Sequence, residues 1–150
     1  MITAVDTNIL LDLLIPGAPH ADEAEAALVM ASQAGAIVIN PLVYAELGAF
    51  FESEQQLRDF IQSTGLTVDQ LHLDALYAAG RAWKLYNQRR AGDLRRHVIS
   101  DFVIGAHARF QADRLLTRDR GYYRTYFPDL SLVGGDGLQP GVDLTSTSII

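Results

Sequence analysis

Short apolar runs alternate along the chain with longer segments whose apolar residues recur every three or four positions. Ile2 to Val5 is a run of branched residues that stops at Asp6-Thr7-Asn8, which predicts a buried strand with polar residues at its C-terminal end. A short helix through Ile9 to Leu14 follows, and Pro16, Gly17 and Pro19 break the chain. The alanine-rich stretch Ala21 to Ala34, with Glu23 and Glu25 near its start and Gly35 beyond its end, predicts a helix. Ala36 to Ile39 is a second buried strand. Asn40-Pro41 is a strong helix start, because asparagine caps free N–H groups and proline is tolerated at the first helical position. That helix carries Leu42, Val43, Glu46, Leu47 and Phe50.

Gln55 to Ser63 predicts another helix ended by Gly65, and Leu66 to Val68 a brief strand. Leu73 to about Arg89 places Leu76, Ala79, Trp83 and Tyr86 in the stripe of a long amphipathic helix. The run from Arg89 to Arg96 interrupts that period and reads as a loop. Ser100 precedes a helix from Asp101 to about Gln111, and Leu115 to Thr117 reads as a strand. A polar turn and a tyrosine-rich stretch ending at Phe127-Pro128 lead to a last strand over Leu130 to Val133. Residues 134–150 are rich in glycine, serine and threonine and are expected to form a loose tail. No internal repeat or second domain is visible. Strands alternating with helices predict an α/β fold with a mostly parallel central sheet flanked by helices.

In such sheets ligands sit at the C-terminal ends of the strands, which directs attention to the residues there. Asp6 follows the first strand and Asp119 follows the strand at Leu115, so both carboxylates should emerge at one edge. For either alone, turn formation or helix capping is an adequate explanation. Glu46 shares its helix face with Leu42, Val43 and Phe50, and Asp101 shares its stripe with Ile104, Gly105 and Ala108. An ionised carboxylate facing inward is costly unless compensated. An arginine partner for Glu46 and capping near Ser100 for Asp101 are the plain alternatives. Taken together the four can close over one edge, and clustered acids relieve their repulsion by raised pKa values or a bound cation. Oxygen ligands without cysteine select magnesium or manganese over zinc, and a carboxylate-held magnesium ion suits the displacement of a phosphodiester.

Composition narrows the classes. The 150 residues are 49% hydrophobic, enough for one core, and the absence of cysteine removes disulfides, thiolate nucleophiles and cysteine-ligated metals. The acidic N-terminal stretch is not expected to be a signal peptide, and no apolar run approaches the roughly 20 residues of a spanning helix. A soluble cytoplasmic protein without membrane contact is expected. Eighteen acids against twelve basic residues leave a net charge of −6, with Lys84 the sole lysine, which argues against binding a polyanion through bulk charge.

Asp6-Thr7-Asn8, Tyr44-Ala45-Glu46-Leu47, Ser100-Asp101-Phe102-Val103-Ile104-Gly105-Ala106 and Leu115-Leu116-Thr117-Arg118-Asp119-Arg120-Gly121-Tyr122-Tyr123 resemble, in order and spacing, the motifs of PIN-domain ribonucleases, and most closely those of VapC toxins. The resemblance covers about residues 2–133. It implies a three-layer PIN-like domain over 1–133, with 134–150 as a tail outside the compact ending usual in the family. It also implies an endoribonuclease dependent on magnesium or manganese, in which Asp6, Glu46, Asp101 and Asp119 match the acidic quartet and metal ligands. Thr117 matches a hydroxyl position beside them, and Asn8 a position that orders water or ligand. A cognate VapB-like antitoxin and a homodimer are implied by the resemblance alone.

Arg118, Arg120 and Arg124, flanking the fourth acid, are candidates for substrate contact, although one can instead pair with a neighbouring carboxylate. Arg89, Arg90, Arg95 and Arg96 can position an RNA backbone, dock an acidic antitoxin segment, or be a solvated loop. Tyr122, Tyr123 and Tyr126 are more in keeping with edge-of-core packing than with base stacking. The four histidines show no ligand spacing. A haloacid-dehalogenase-like phosphatase also ends its first strand in aspartate, but needs a second acid where Asn8 stands. A non-catalytic RNA- or protein-binding module has no reason to keep several inward carboxylates.

Overall fold

Ile2–Val5 extends as β1, the middle strand of a five-stranded sheet that is parallel throughout. A computed structural model describes residues 1–89 and 98–134. Strand order is β3-β2-β1-β4-β5, with β2 at Ala36–Ile39, β3 at Leu66–Val68, β4 at Arg114–Leu116 and β5 at Leu132–Val133. Ala4 pairs with Val38 on one side and Leu115 on the other, which sets all three strands in one register. Helices α1 (Thr7–Leu14), α2 (Ala21–Ala34), α3 (Pro41–Gly48), α4 (Glu54–Thr64), α5 (Leu73–Arg89), α6 (Ile99–Gln111) and α7 (Arg120–Tyr126) complete a three-layer α/β arrangement. Among the described residues no helix is long and apolar enough to cross a membrane.

The chain builds outward from β1 through β2 to β3, then returns to place β4 on the other side of β1. The reversal leaves a crevice between the C-terminal ends of β1 and β4, the usual ligand position of an open parallel sheet. Asp6 leaves β1 at that crevice, its backbone N–H donating to the Leu116 carbonyl at 2.9 Å.

The fold follows local signals closely where a cap or turn residue is present. Asn40 Oδ1 accepts from the Leu42 and Val43 amides at 2.7 and 3.2 Å, as its position ahead of Pro41 predicts. Gly65 ends α4 in the left-handed conformation at φ 79°, where a side chain would be strained.

Five expectations need correction. α6 begins at Ile99 with Val98 as its cap, not at Asp101 after Ser100. Its first turn closes when Asp101 Oδ2 accepts from the Val98 amide at 2.9 Å, so the capping carboxylate reaches back from inside the helix. β4 ends at Leu116, leaving Thr117 just beyond the strand, and β5 is confined to Leu132–Val133. The tyrosine-rich stretch is helical: α7 forms because Tyr122 and Tyr123 bury against the core, with Tyr122 edge-on to Phe102, which outweighs the weak helix propensity of glycine, tyrosine and threonine. Finally, α5 is turned about its axis. Ala75, Ala79 and Tyr86 are buried, while Leu76 and Trp83 remain 36% and 40% exposed. Small alanines let α5 lie close against α6, and Tyr86 then meets Phe102 at its far end. The basic loop residues Arg90, Arg95 and Arg96, and the tail from 135 to 150, lie outside the described residues.

α6 is buried along its whole middle, from Phe102 to Ala108, because it packs on β1, β4, α3 and α5. His107 within it is satisfied by Asp69, 3.0 Å from Nε2, which ties the helix to the segment after β3. Gly105 lies against Phe127, and a Cβ there would overlap the ring. Gly105→Ala is therefore expected to destabilise the fold by about 1–2 kcal/mol, overpacking exceeding the gain in helix propensity. Denaturant titration checks this, and an unchanged midpoint would show that the ring yields freely.

Candidate active site

Asp6 occupies the crevice between β1 and β4 and is 6% exposed. Its Oδ2 accepts two hydroxyls, from Thr117 at 2.7 Å and Tyr123 at 3.2 Å. Burial pushes the Asp6 carboxyl up to about 6; the Thr117 hydrogen bond opposes this, the negative charge of Asp101 adds to it, and the hydrogen bonds from Tyr123 and the Thr7 backbone pull it back. Among the described residues none of its hydrogen-bond partners is a cation. Thr117 is fully buried and does two things at once: its hydroxyl donates to Asp6 and accepts from the Asp119 amide at 2.9 Å. One hydroxyl thereby joins the chain just after β4 to the acid just after β1.

Asp101 arrives on the first turn of α6. Its charge reaches Asp6, and the charges of Asp101, Asp119 and Asp6 all act on the buried Tyr122 phenol, whose pKa is raised first by burial and then by these acids. Three carboxylates therefore share the neighbourhood of one ring. Tyr123 is likewise held protonated, chiefly by burial and then by Asp6, so it remains a donor.

Glu46 comes from α3 and points across the same edge. The arginine partner expected as an alternative is absent among the described residues. Instead Thr7 donates to Oε1 at 2.7 Å and Ser100 to Oε2 at 3.4 Å. Those hydroxyls belong to the residues next to Asp6 and next to Asp101, so Glu46 bridges the start of α1 and the start of α6. All four acids are brought to one end of the sheet.

The arginines behave differently. Arg118 directs Nε to Asp12 Oδ2 at 2.7 Å and Nη2 to Oδ1 at 2.9 Å, a forked pair with Asp12 buried. Its guanidinium is thus engaged within the chain. Arg120 donates from Nη1 to the Gly134 carbonyl at 2.8 Å, and its buried Nε has no hydrogen-bond partner among the described residues. Asn8 Oδ1 stands 3.5 Å from the Arg118 amide. Sequence reasoning did not single out Thr7, Ser100 or Tyr123. Thr7 and Ser100 carried a signal, adjacency to an acid, whereas nothing in the sequence distinguished Tyr123 from its neighbouring tyrosines.

Among the described residues no group of three or more Asp, Glu or His side chains is set as a ready-made cage for a metal ion. Magnesium does not require such a cage, because it retains waters and is held by one or two carboxylates together with substrate phosphate. A buried carboxylate with a second negative charge beside it and only neutral hydrogen-bond partners is a donor set that fits such an ion.

The PIN domain family model matches residues 3–128. The structure is similar to that of VapBC2 from Rickettsia felis bound to a DNA fragment from their promoter, at 22% identity and TM-score 0.64, covering 89% of this chain and 98% of that one. It is similar also to VapBC-1 from nontypeable Haemophilus influenzae, at 24% identity and TM-score 0.63, covering 89% and 97%. FitAcB from Neisseria gonorrhoeae matches at 16% identity and TM-score 0.60, with the same coverage of 89% and 97%. At these identities the likeness is one of fold. No curated protein matches the chain.

Proposed function

Because the chain belongs to the PIN domain family, we propose that it is an endoribonuclease dependent on magnesium or manganese, and the toxin of a toxin–antitoxin pair. The observation that carries this reading is the buried Asp6 carboxylate, raised by burial and by Asp101, with only neutral hydrogen-bond partners among the described residues. Asp6 and Asp101 are the central ligands, with Glu46 and Asp119 completing the acidic rim. The ion supplies charge neutralisation for a phosphodiester undergoing displacement. The chain's own residues hold and orient these oxygens. Thr117 and Tyr123 fix one Asp6 oxygen from the protein side, and Thr7 and Ser100 hold Glu46 across the mouth. Asn8 orders water or substrate at the rim, while Arg118 acts through Asp12 and Arg120 through the chain at Gly134.

The nuclease unit is residues 1–133, with 134–150 as an appended tail, and the protein works in the cytoplasm. The VapBC names of the similar structures support a VapB-like antitoxin as partner. A homodimer is supported by Leu76 and Trp83, which α5 leaves exposed.

The purified chain is expected to cut internally labelled RNA when magnesium or manganese is supplied, and to stop when a chelator is added. Tests against transfer, ribosomal and messenger RNA define the substrate. Intact RNA of all three kinds in the presence of either ion would overturn the proposal.

A further inference from the structure

Away from the acids, α5, the C-terminal end of α6 and the segment after α7 line an open cleft of about 830 Å³. Its walls include Tyr77, Arg81 and Lys84 of α5, Arg109 of α6 and Tyr126 at the end of α7. Arg109 is neutralised by Asp129, with Nε 2.9 and 3.0 Å from the two carboxylate oxygens. Arg81 and Lys84 have no such partner among the described residues, so the cleft holds surplus positive charge in a chain of net charge −6. Tyr77 presents a ring that is 70% exposed beside them. Cations that track a backbone, together with an exposed aromatic face, are how single-stranded nucleic acid is held without reading its sequence.

The cleft is connected to the acidic centre by α7. Asp119 lies at one end of that helix and Tyr126 at the other, about 10 Å apart at 1.5 Å per residue. Segregation of charge on this scale has a purpose in an acidic nuclease: the bulk field repels RNA, and a local cationic track offsets that repulsion where the strand must lie.

We propose that this cleft is an exosite for the single-stranded RNA flank of the scissile bond, with Arg81 and Lys84 on phosphates and Tyr77 stacking on a base. The inference rests on the nuclease reading for its substrate. It differs from that reading in its residues, none of which touches the acidic centre.

The test uses the full chain and its Arg81→Ala/Lys84→Ala variant. An unstructured fluorescein-labelled 20-nucleotide RNA and an RNA tetramer serve as probes. Anisotropy is measured in chelator, and KM and kcat with magnesium. The variant is expected to bind the 20-mer about tenfold more weakly, and to lose about tenfold of the preference for the 20-mer over the tetramer, through KM rather than kcat. The slope of log affinity against log salt should fall by about 1.4, two phosphates at about 0.7 each for a single strand. Equal binding of the 20-mer by both proteins would overturn the exosite. So would tighter capture of a polyglutamate peptide than of RNA, which would give the cleft to an acidic protein segment. If neither protein cuts RNA but the variant still loses binding, the cleft stands as a single-strand RNA site and the nuclease reading falls. Cleavage with unaltered binding and KM gives the reverse.

Discussion

Asp6→Asn is expected to lower metal-dependent RNA cleavage by roughly 10³-fold or more, while making the metal-free protein more stable above pH 6. The first effect follows from the proposed role of Asp6 as a metal ligand, whose removal is a loss on the scale of deleting a preorganised electrostatic group. The second follows from the same burial. The Asp6 carboxyl stands at about 6 in the folded chain against 3.8 for an unperturbed aspartate. Between those values the folded chain holds a proton that the unfolded chain has released, so stability falls as pH rises. Below 3.8 there is no cost, and above about 6 the full cost is present. At 1.36 kcal/mol per pKa unit the cost is at most about 3 kcal/mol. Asparagine keeps an acceptor for the Thr117 and Tyr123 hydroxyls without the charge. At pH 8 in chelator its melting temperature should exceed that of the parent by up to roughly 6 to 12 °C, and at pH 3.5 the difference should vanish. Added manganese should stabilise the parent by mass action and leave the variant unmoved. Retained cleavage, or equal melting at pH 8, would contradict this account. Lost cleavage and the higher melting temperature together would mark Asp6 as a residue that trades stability for activity.

Breaking the Asp12–Arg118 pair should have the next largest effect, a loss of about 3 kcal/mol for Asp12→Ala, since removal of one partner leaves the other's charge uncompensated in a partly buried site. Arg118 stands between Thr117 and Asp119, so the loss is expected to reduce kcat as well, by freeing the segment that carries both. In the double variant Asp12→Leu/Arg118→Met most of the lost stability should return, because an apolar pair of similar volume needs no compensation. Denaturant titration of the two single variants and the double gives the coupling directly. Additive losses would refute a paired role. If Arg118 instead contacted substrate, Arg118→Met would raise KM without matching the stability loss of Asp12→Ala.

Elements with local punctuation are legible from neighbouring residues alone. Asn40-Pro41 marks the start of α3, Gly35 and Gly65 the ends of α2 and α4, and the branched run of Ile2 to Val5 is β1. α7 was not legible, because its residues favour other states in isolation and the helix forms only when Tyr122 and Tyr123 find the core. The rotation of α5 escaped for a related reason. Alanine is too small to compete with leucine or tryptophan in a hydrophobic count, yet it decides how closely two helices approach. Among the site residues, the acids were visible as charges misplaced on apolar faces. Arg118 looked available for substrate because its partner, Asp12, is 106 positions away.

Composition and periodicity by themselves determined an α/β chain with a parallel sheet, and acids at its strand ends and on helix faces that also carry apolar residues; the likeness to PIN domains came from the residues, order and spacing of four motifs. Those features depend on near neighbours and on the period of the backbone. Which hydroxyl holds which carboxylate, which arginine is already engaged, and that Tyr123 reaches Asp6 from 117 positions away were decided by tertiary structure alone. A hydrogen bond between distant residues depends on the final placement of both elements to within a few tenths of an ångström, and no local pattern carries that information.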